Sequence, residues 1–378
     1  MAVYLDCNAT TPVESSVAAL AARFLEKDFG NPASPIHDYG LFARAAVEHA
    51  RAQVAKVVAA RPDEVIFTSG ATEANNLALL GLAETAWREG RCHVITTAVE
   101  HKAVLEPCEE LQRLGFELTV LPVGADGRFN PDQLAAALRP ETALVSTMQV
   151  NNETGVSQPL AETAAILAGH GAWWHVDAAQ GFGKELEPLQ NPRIDLIAVS
   201  GHKIYGPKGI GALVARKRDG RLPPLKPLMF GGGQEQGLRP GTLPVPLIAG
   251  FGEAAKLALR DHEQRREACR TFRAEVLRVF AELGARQNGD EHHTLPHVLN
   301  VSLPGIPSDR AIHALKGTIA LSSTSACTSH TRTPSHVLAA MGIPPERAEC
   351  SLRLSWCHLT PAVDWERVTE ILRQLRPS

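Results

Sequence analysis

From residue 64 to residue 215 the chain alternates short apolar runs with helical stretches, and that alternation restricts the fold more than any other feature. "EVIFTSG" (64–70) reads as a strand ending in a turn, and helical periodicity follows over 73–90. The cycle then repeats: "RCHVITTAVEH" as strand, "AVLEPCEELQRLG" as helix, "FELTVLPV" as strand, "PDQLAAAL" as helix. "TALVSTMQV", "LAETAAILAGHG" and "AWWHVDAAQ" continue it, and a strand pair over 194–199 and 210–215 closes it. Repeated strand–helix–strand units require a mostly parallel sheet with helices on both faces. Another helical stretch, 40–60, precedes the first strand.

The alternation ends near "TLPVPLIAGFGEAAKLAL". Beyond it, a single amphipathic helix is expected over roughly 250–284, a connector with a solvated charged face. The last hundred or so residues read as α+β: strand "HVLNVSLPG", helix "SDRAIHALKG", strand "IALSSTSA", helix "PSHVLAAMG", strand "CSLRLSW", helix "VDWERVTEILRQL". A length of 378 residues agrees with about two domains.

Composition narrows the function classes. A hydrophobic fraction of 44% with 21% charged residues is that of an ordinary globular protein. The net charge of −3 leaves no basic footprint for nucleic acid or a membrane surface. No apolar run reaches the length of a membrane span, and "MAVYLDCNATTP" lacks the pattern of a signal peptide, so a cytoplasmic location is expected. The seven cysteines (7, 92, 108, 269, 327, 350 and 357) form no CxxC pair and read as reduced thiols, most of them small apolar fillers.

Several strand ends carry polar residues, and in doubly wound sheets ligands bind outside the carboxyl ends of the strands. "IFTSGATEAN" opens a helix at Thr72, which suits either a phosphate or a plain helix cap. His101 in "ITTAVEHKAV" suits a site or a capping position; Asn151 and Asn152 in "MQVNNETG" suit a site or a turn. Asp177 in "WWHVDAAQ" is a buried carboxylate that needs a cationic or donor partner, which an ion pair would equally satisfy. Lys203 lies one strand–helix–strand unit later, at the mouth of an apolar strand pair, where a bare charge is costly. Pyridoxal phosphate requires a lysine for a Schiff base, a carboxylate for the pyridine nitrogen and a phosphate cup, and it would cap that charge covalently.

With those residues in view, the sequence resembles the NifS/IscS-type cysteine desulfurases of the class V aminotransferase group, pyridoxal-phosphate enzymes of fold type I. "YLDCNATTP", "FGNPAS", "IFTSGATEANNLA", "EHKAVL", "VNNETG", "HVDAAQ", "SGHKIYGPKGIGAL", "GGGQEQGLRPGTLPV" and "SSTSACTS" run in family order over essentially the whole chain. The resemblance implies an α/β large domain over 15–255 with a mostly parallel seven-stranded sheet. It implies a smaller α+β domain from 1–14 and 256–378, carrying a catalytic-cysteine loop at about 322–334.

It also implies roles. Lys203 would form the Schiff base and shuttle the Cα proton, Asp177 would keep the pyridine nitrogen protonated, and His101 would stack on the ring and help move protons. Gln180 and Asn152 would contact the ring and its phenolic oxygen, and Asn152 the substrate as well. Thr72, Ser200 and His202 would bind the phosphate, joined by Thr242 from the other subunit of a homodimer. Arg353 would pair with the carboxylate of the substrate, L-cysteine, for which a guanidinium fork is well shaped. Cys327 would accept the sulfur as a persulfide, leaving L-alanine, and pass it to an acceptor protein; the flanking His330 and Arg332 could lower its pKa.

Three features depart from the family pattern. Cys7-Asn8 stand where relatives commonly carry Tyr-Ser, and "SHTRTP" is more basic than usual. The chain ends at "LRQLRPS", without the longer tail by which some relatives dock an iron–sulfur scaffold. That leaves a dedicated sulfur sink, such as the DNA phosphorothioation pathway served by DndA-type desulfurases, beside iron–sulfur assembly. A selenocysteine lyase or aminotransferase of the same group, independent of Cys327, and a non-catalytic platform are the competing readings. "GPKGIG" and "GGGQEQG" lack a P-loop ending, and His292, His293 and His297 read as an exposed loop rather than a metal site.

Overall fold

The computed structural model describes residues 2–323 and 335–376. Seven strands form the main sheet, in the order Val65–Thr68, Gly211–Ala215, Leu196–Ser200, Trp173–Asp177, Thr142–Met148, His93–Thr97, Glu117–Leu121. From Leu196–Ser200 to Glu117–Leu121 all neighbours are parallel; Gly211–Ala215 runs antiparallel to both of its neighbours. The inner strands are buried from end to end except at the half-buried Trp173, whereas the edge strand Glu117–Leu121 is largely accessible. A sheet covered on both faces needs apolar residues at consecutive positions, which is why these segments read as unbroken apolar runs.

The helix Asp38–Val57 packs on Val245–Arg260 closely enough that backbone approaches backbone. A Cβ on Gly252 would fall 2.5 Å from Ala50 Cα, so only glycine allows this crossing. The expected single helix over 250–284 is two helices, Val245–Arg260 and His262–Glu282, parted at Asp261. Asp261 leaves helical geometry (φ −105°, ψ 13°), and its carboxylate binds the Arg260 side chain at 2.6 and 2.8 Å. A short side chain that competes with the backbone for hydrogen bonds favours such a break. Likewise the periodicity over 73–90 is split into Ala71–Leu80 and Ala83–Arg88.

The C-terminal part holds a four-stranded antiparallel sheet in the order Ser322–Ser323, Ser351–Ser355, Val298–Ser302, Arg286–Gln287. The segment read as one strand, "IALSSTSA", serves two sheets. Ile319–Ala320 pairs in parallel with Val3–Tyr4 near the chain start, and Ser322–Ser323 joins the four-stranded sheet. That pairing and the Asp6–Ser355 bridge tie the first residues to the C-terminal part and deliver Asn8 to the ends of the main strands.

Candidate active site

In the main sheet Thr142–Met148 lies beside His93–Thr97, and strand order then runs outward in opposite directions on the two sides. At such a reversal the connections leave on opposite faces and a crevice opens at the carboxyl ends. A cavity of about 610 Å³ lies there. It is lined by Asn8, Ser69, Gly70, Thr72, Asn75, His101, Asn152, Asp177, Gln180, Ser200, His202, Lys203 and Arg353, among others. Nine of the eleven residues singled out from the sequence are thus brought together.

Asp177 ends its strand, and both its oxygens are held: Ala179 N–H donates to Oδ1 at 2.9 Å, and Asn75 Nδ2 donates to Oδ2 at 2.8 Å. Lys203 sits in the 3-10 turn after Leu196–Ser200. Its Nζ donates to the carbonyl oxygens of Asn8 and, at 2.9 Å, Ala9. Two carbonyl dipoles therefore offset part of the cost of its charge. The sequence offered no sign of them.

The helix Ala71–Leu80 starts after Gly70, whose φ of +156° with ψ of −178° is open only to glycine. Its N-terminus, with Ser69, Thr72, Ser200 and His202, lines one end of the cavity, a donor set suited to an anion. Burial, then Lys203, pulls His202 down to about 4, so its ring is neutral near pH 7, with Nδ1 3.1 Å from Thr10 Oγ1. Glu73 holds this corner: Ser69 N–H donates to it at 2.7 Å and Arg239 Nε at 2.9 Å. Burial pushes its carboxyl up, but these two partners outweigh burial and hold it below its ordinary value.

His101 satisfies both sequence readings. It borders the cavity and also caps the helix Lys102–Arg113, with Nδ1 accepting from Ala103 N–H at 3.0 Å. Burial lowers its pKa against the pull of Asp177, and Lys203 lowers it further. With Nδ1 accepting, the neutral ring carries its proton on Nε2. Its neighbour Glu100 is fully buried and, accepting from Thr97 Oγ1 at 2.7 Å and Met148 N–H at 2.8 Å, is still pushed up to about 8 by burial.

Arg353, Asn152, Gln180 and Asn8 also line the cavity. Arg353 donates from Nη1 to Asn152 O at 3.1 Å and from Nη2 to Asp6 Oδ1 at 2.7 Å. Gln180 Nε2 donates to Asn8 O at 2.9 Å. Arg353 Nε, Gln180 Oε1 and Asn8 Oδ1 are buried with no hydrogen-bond partner among the described residues. Unsatisfied polar atoms around a cavity fit a polar ligand. With the lysine, the strand-end carboxylate and the anion-binding helix start, the residues present fit a phosphorylated, ring-nitrogen cofactor.

Thr242 is not among the residues that line this cavity. It borders another pocket, of about 460 Å³, with Arg51, Glu235 and Gln236. Cys327 lies outside the described residues, as do its neighbours His330 and Arg332. The histidine-loop reading needs a correction. His293 is exposed and holds Asp290 at 2.6 Å, but His297 is buried, 3.3 Å from Lys184 Nζ. Among the described residues no group of His, Cys, Asp and Glu is placed to hold a metal. Asn8, Glu73 and Asn75 were not identified as site residues; only Asn75, a polar residue on an otherwise apolar helix face, left a signal.

A doubly wound sheet with a lysine, a strand-end aspartate and a helix N-terminus meeting at its switch point defines an α/β enzyme of the aminotransferase type. The chain belongs to the class-V aminotransferase family, whose model ("Aminotransferase class-V") matches residues 3–368. Among curated relatives, the cysteine desulfurase IscS of Methylococcus capsulatus is 45% identical over 372 residues, covering 98% of this chain and 91% of the relative. Among solved structures, DndA from Streptomyces lividans is 48% identical with a TM-score of 0.82, covering 94% of this chain and 98% of that one. A structure described as SspA in complex with cysteine is 35% identical with a TM-score of 0.83, covering 95% of this chain and 100% of that one.

Proposed function

We propose that this chain is a pyridoxal-phosphate-dependent cysteine desulfurase. It takes sulfur from L-cysteine, leaves L-alanine and carries the sulfur as a persulfide on Cys327. The observation that carries this reading is the meeting of Lys203, Asp177, His101 and the start of Ala71–Leu80 around one cavity. The relatives named cysteine desulfurase and the neighbour described in complex with cysteine support the substrate.

Pyridoxal phosphate, when bound, supplies a protonated ring that draws electron density from the substrate's α-carbon. Ser200, His202 and Thr72 bind the phosphate with the helix N-terminus. Asp177 holds the proton of the ring nitrogen. Lys203 would be the residue that holds the cofactor's aldehyde end, and its amine would be the group that carries the substrate's α-proton. His101 would cover the ring and offer its Nε2 proton, while Asn152 and Gln180 would bind the ring's phenolic oxygen. Arg353, braced by Asp6 and with Nε unpartnered among the described residues, binds the substrate carboxylate. Cys327 supplies the thiolate: its bond to the substrate's sulfur forms as the carbon–sulfur bond breaks.

The active unit is a homodimer in which Thr242 serves the phosphate of the partner. Ile36 and Phe230, 92% and 90% exposed, are apolar surface that a partner subunit would cover. The persulfide passes to an acceptor protein in iron–sulfur assembly or in a dedicated pathway such as DNA phosphorothioation.

One experiment tests the reading as a whole. The yellow holoenzyme should sediment as a dimer, release alanine from L-cysteine and retain labelled sulfur on Cys327. Cys327→Ser should keep the colour and lose both alanine and label, because a serine hydroxyl is a poor nucleophile toward sulfur. Alanine release by Cys327→Ser at the wild-type rate, or full activity in a monomer, would overturn it.

A further inference from the structure

Asn75 lies in the helix Ala71–Leu80, whose neighbouring residues Ala74, Leu77, Ala78 and Leu79 are packed in the core. The residue is 1% exposed. Among the described residues its amide makes one side-chain hydrogen bond, from Nδ2 to Asp177 Oδ2 at 2.8 Å, and its buried Oδ1 has no partner. The orientation of the amide follows from chemistry, because an ionised carboxylate only accepts and so must face the NH₂ group. An apolar residue of the same shape would spare the core an unsatisfied oxygen, so asparagine here is unfavourable for packing alone. Its single side-chain partner among the described residues is the carboxylate that borders the cavity.

We propose that Asn75 is a positioning residue for the cofactor: it fixes the rotamer of Asp177, so that the carboxylate stays placed to meet the cofactor's ring nitrogen. The inference rests on the pyridoxal-phosphate reading above. The two donors divide the work. Ala179 N–H secures Oδ1 through the backbone, and Asn75 secures Oδ2 from a different element, so the carboxylate cannot rotate without losing a charged hydrogen bond. The same helix carries Thr72 at its N-terminal end. One rigid element therefore registers the phosphate cup against the carboxylate, and a bound ring would be held at both ends.

The test separates positioning from structure. Asn75→Leu keeps the shape and removes both the donor and the stranded oxygen. Purified without cofactor, it should melt at or above the wild-type temperature, yet its dissociation constant for pyridoxal phosphate should rise at least about tenfold, the loss expected for a hydrogen bond to a charged group. Asn75→Asp, which faces one carboxylate with another, should bind the cofactor more weakly still. Saturated with cofactor, Asn75→Leu should lose kcat with little change in KM for L-cysteine, because Asp177 and not the carboxylate clamp has been disturbed. Wild-type cofactor affinity in Asn75→Leu overturns the inference, and so does a loss of affinity accompanied by a lower melting temperature of the cofactor-free protein. Failure of the wild-type protein itself to take up pyridoxal phosphate would instead overturn the functional reading and the inference with it.

Discussion

Lys203 and Lys184 each follow the end of a parallel strand of the main sheet, and they sit in opposite surroundings. Lys203, after Leu196–Ser200, borders the cavity, and its ammonium is met by the Asn8 and Ala9 carbonyls with Asp177 and His101 lining the same space. Lys184, after Trp173–Asp177, directs Nζ toward His297 Nε2 at 3.3 Å. Burial pulls Lys184 down to about 8, with only the thiols of Cys7, Cys269 and Cys357 acting the other way, and His297 is pulled well below its ordinary value. Both are lysines in costly places. Burying a lysine therefore does not make a site; an anion cradle, a carboxylate on the same space and room for a ligand must be present with it.

Three substitutions press on that contrast. Lys203→Ala should have the largest effect, removing the visible colour of the holoenzyme and lowering alanine release by roughly a thousandfold or more, the scale of a lost general base. A cofactor that remains attached to another lysine after borohydride treatment would erase the distinction between the two residues. Asp177→Asn should come next. It should retain cofactor but lose about a hundredfold or more in turnover, since an amide cannot hold the ring nitrogen's proton as a charged partner does. Near-normal alanine production by this variant would show that the carboxylate is not what sets the Lys203 region apart.

Lys184→Met should have the smallest effect, leaving kcat/KM within about twofold of wild type. Its signature lies in stability. Lys184 is lowered from an ordinary 10.5 to about 8, so between those values the folded protein holds it neutral while the unfolded chain still binds a proton. Unfolding therefore takes up a proton in that window, and stability from this group rises as pH goes from about 8 to about 10.5. Thermal unfolding of wild type against Lys184→Met should show that increment in the wild type alone. An equal pH dependence in the two proteins would mean that the surroundings of Lys184 do not lower its pKa.

What could be read from the sequence was whatever a single segment decides. A strand–helix–strand unit ends each strand on the same edge, so Asp177, Ser200 and Lys203 were assignable to one face from pattern alone, and His101 to the start of the next helix. The order of family-like segments added the chemistry. Local pattern did not reveal the break at Asp261, where two amphipathic stretches of matching period run on without a sequence gap. Nor did it reveal that His297 is buried, since the loop that carries it is as polar as an exposed one.

The alternating α/β plan, and which side chains stand at the strand ends, are legible in the amino-acid order, because periodicity and chain direction act over a few residues at a time. What those side chains meet depends on how the layers pack. Asn75 reaches Asp177, the Asn8 and Ala9 carbonyls reach Lys203, and Asp6 reaches Arg353 from positions far away along the chain. Hydrogen bonds of that kind carry no period and no spacing rule; they exist because packing one layer on another leaves each buried polar group to be satisfied by whatever the fold brings next to it.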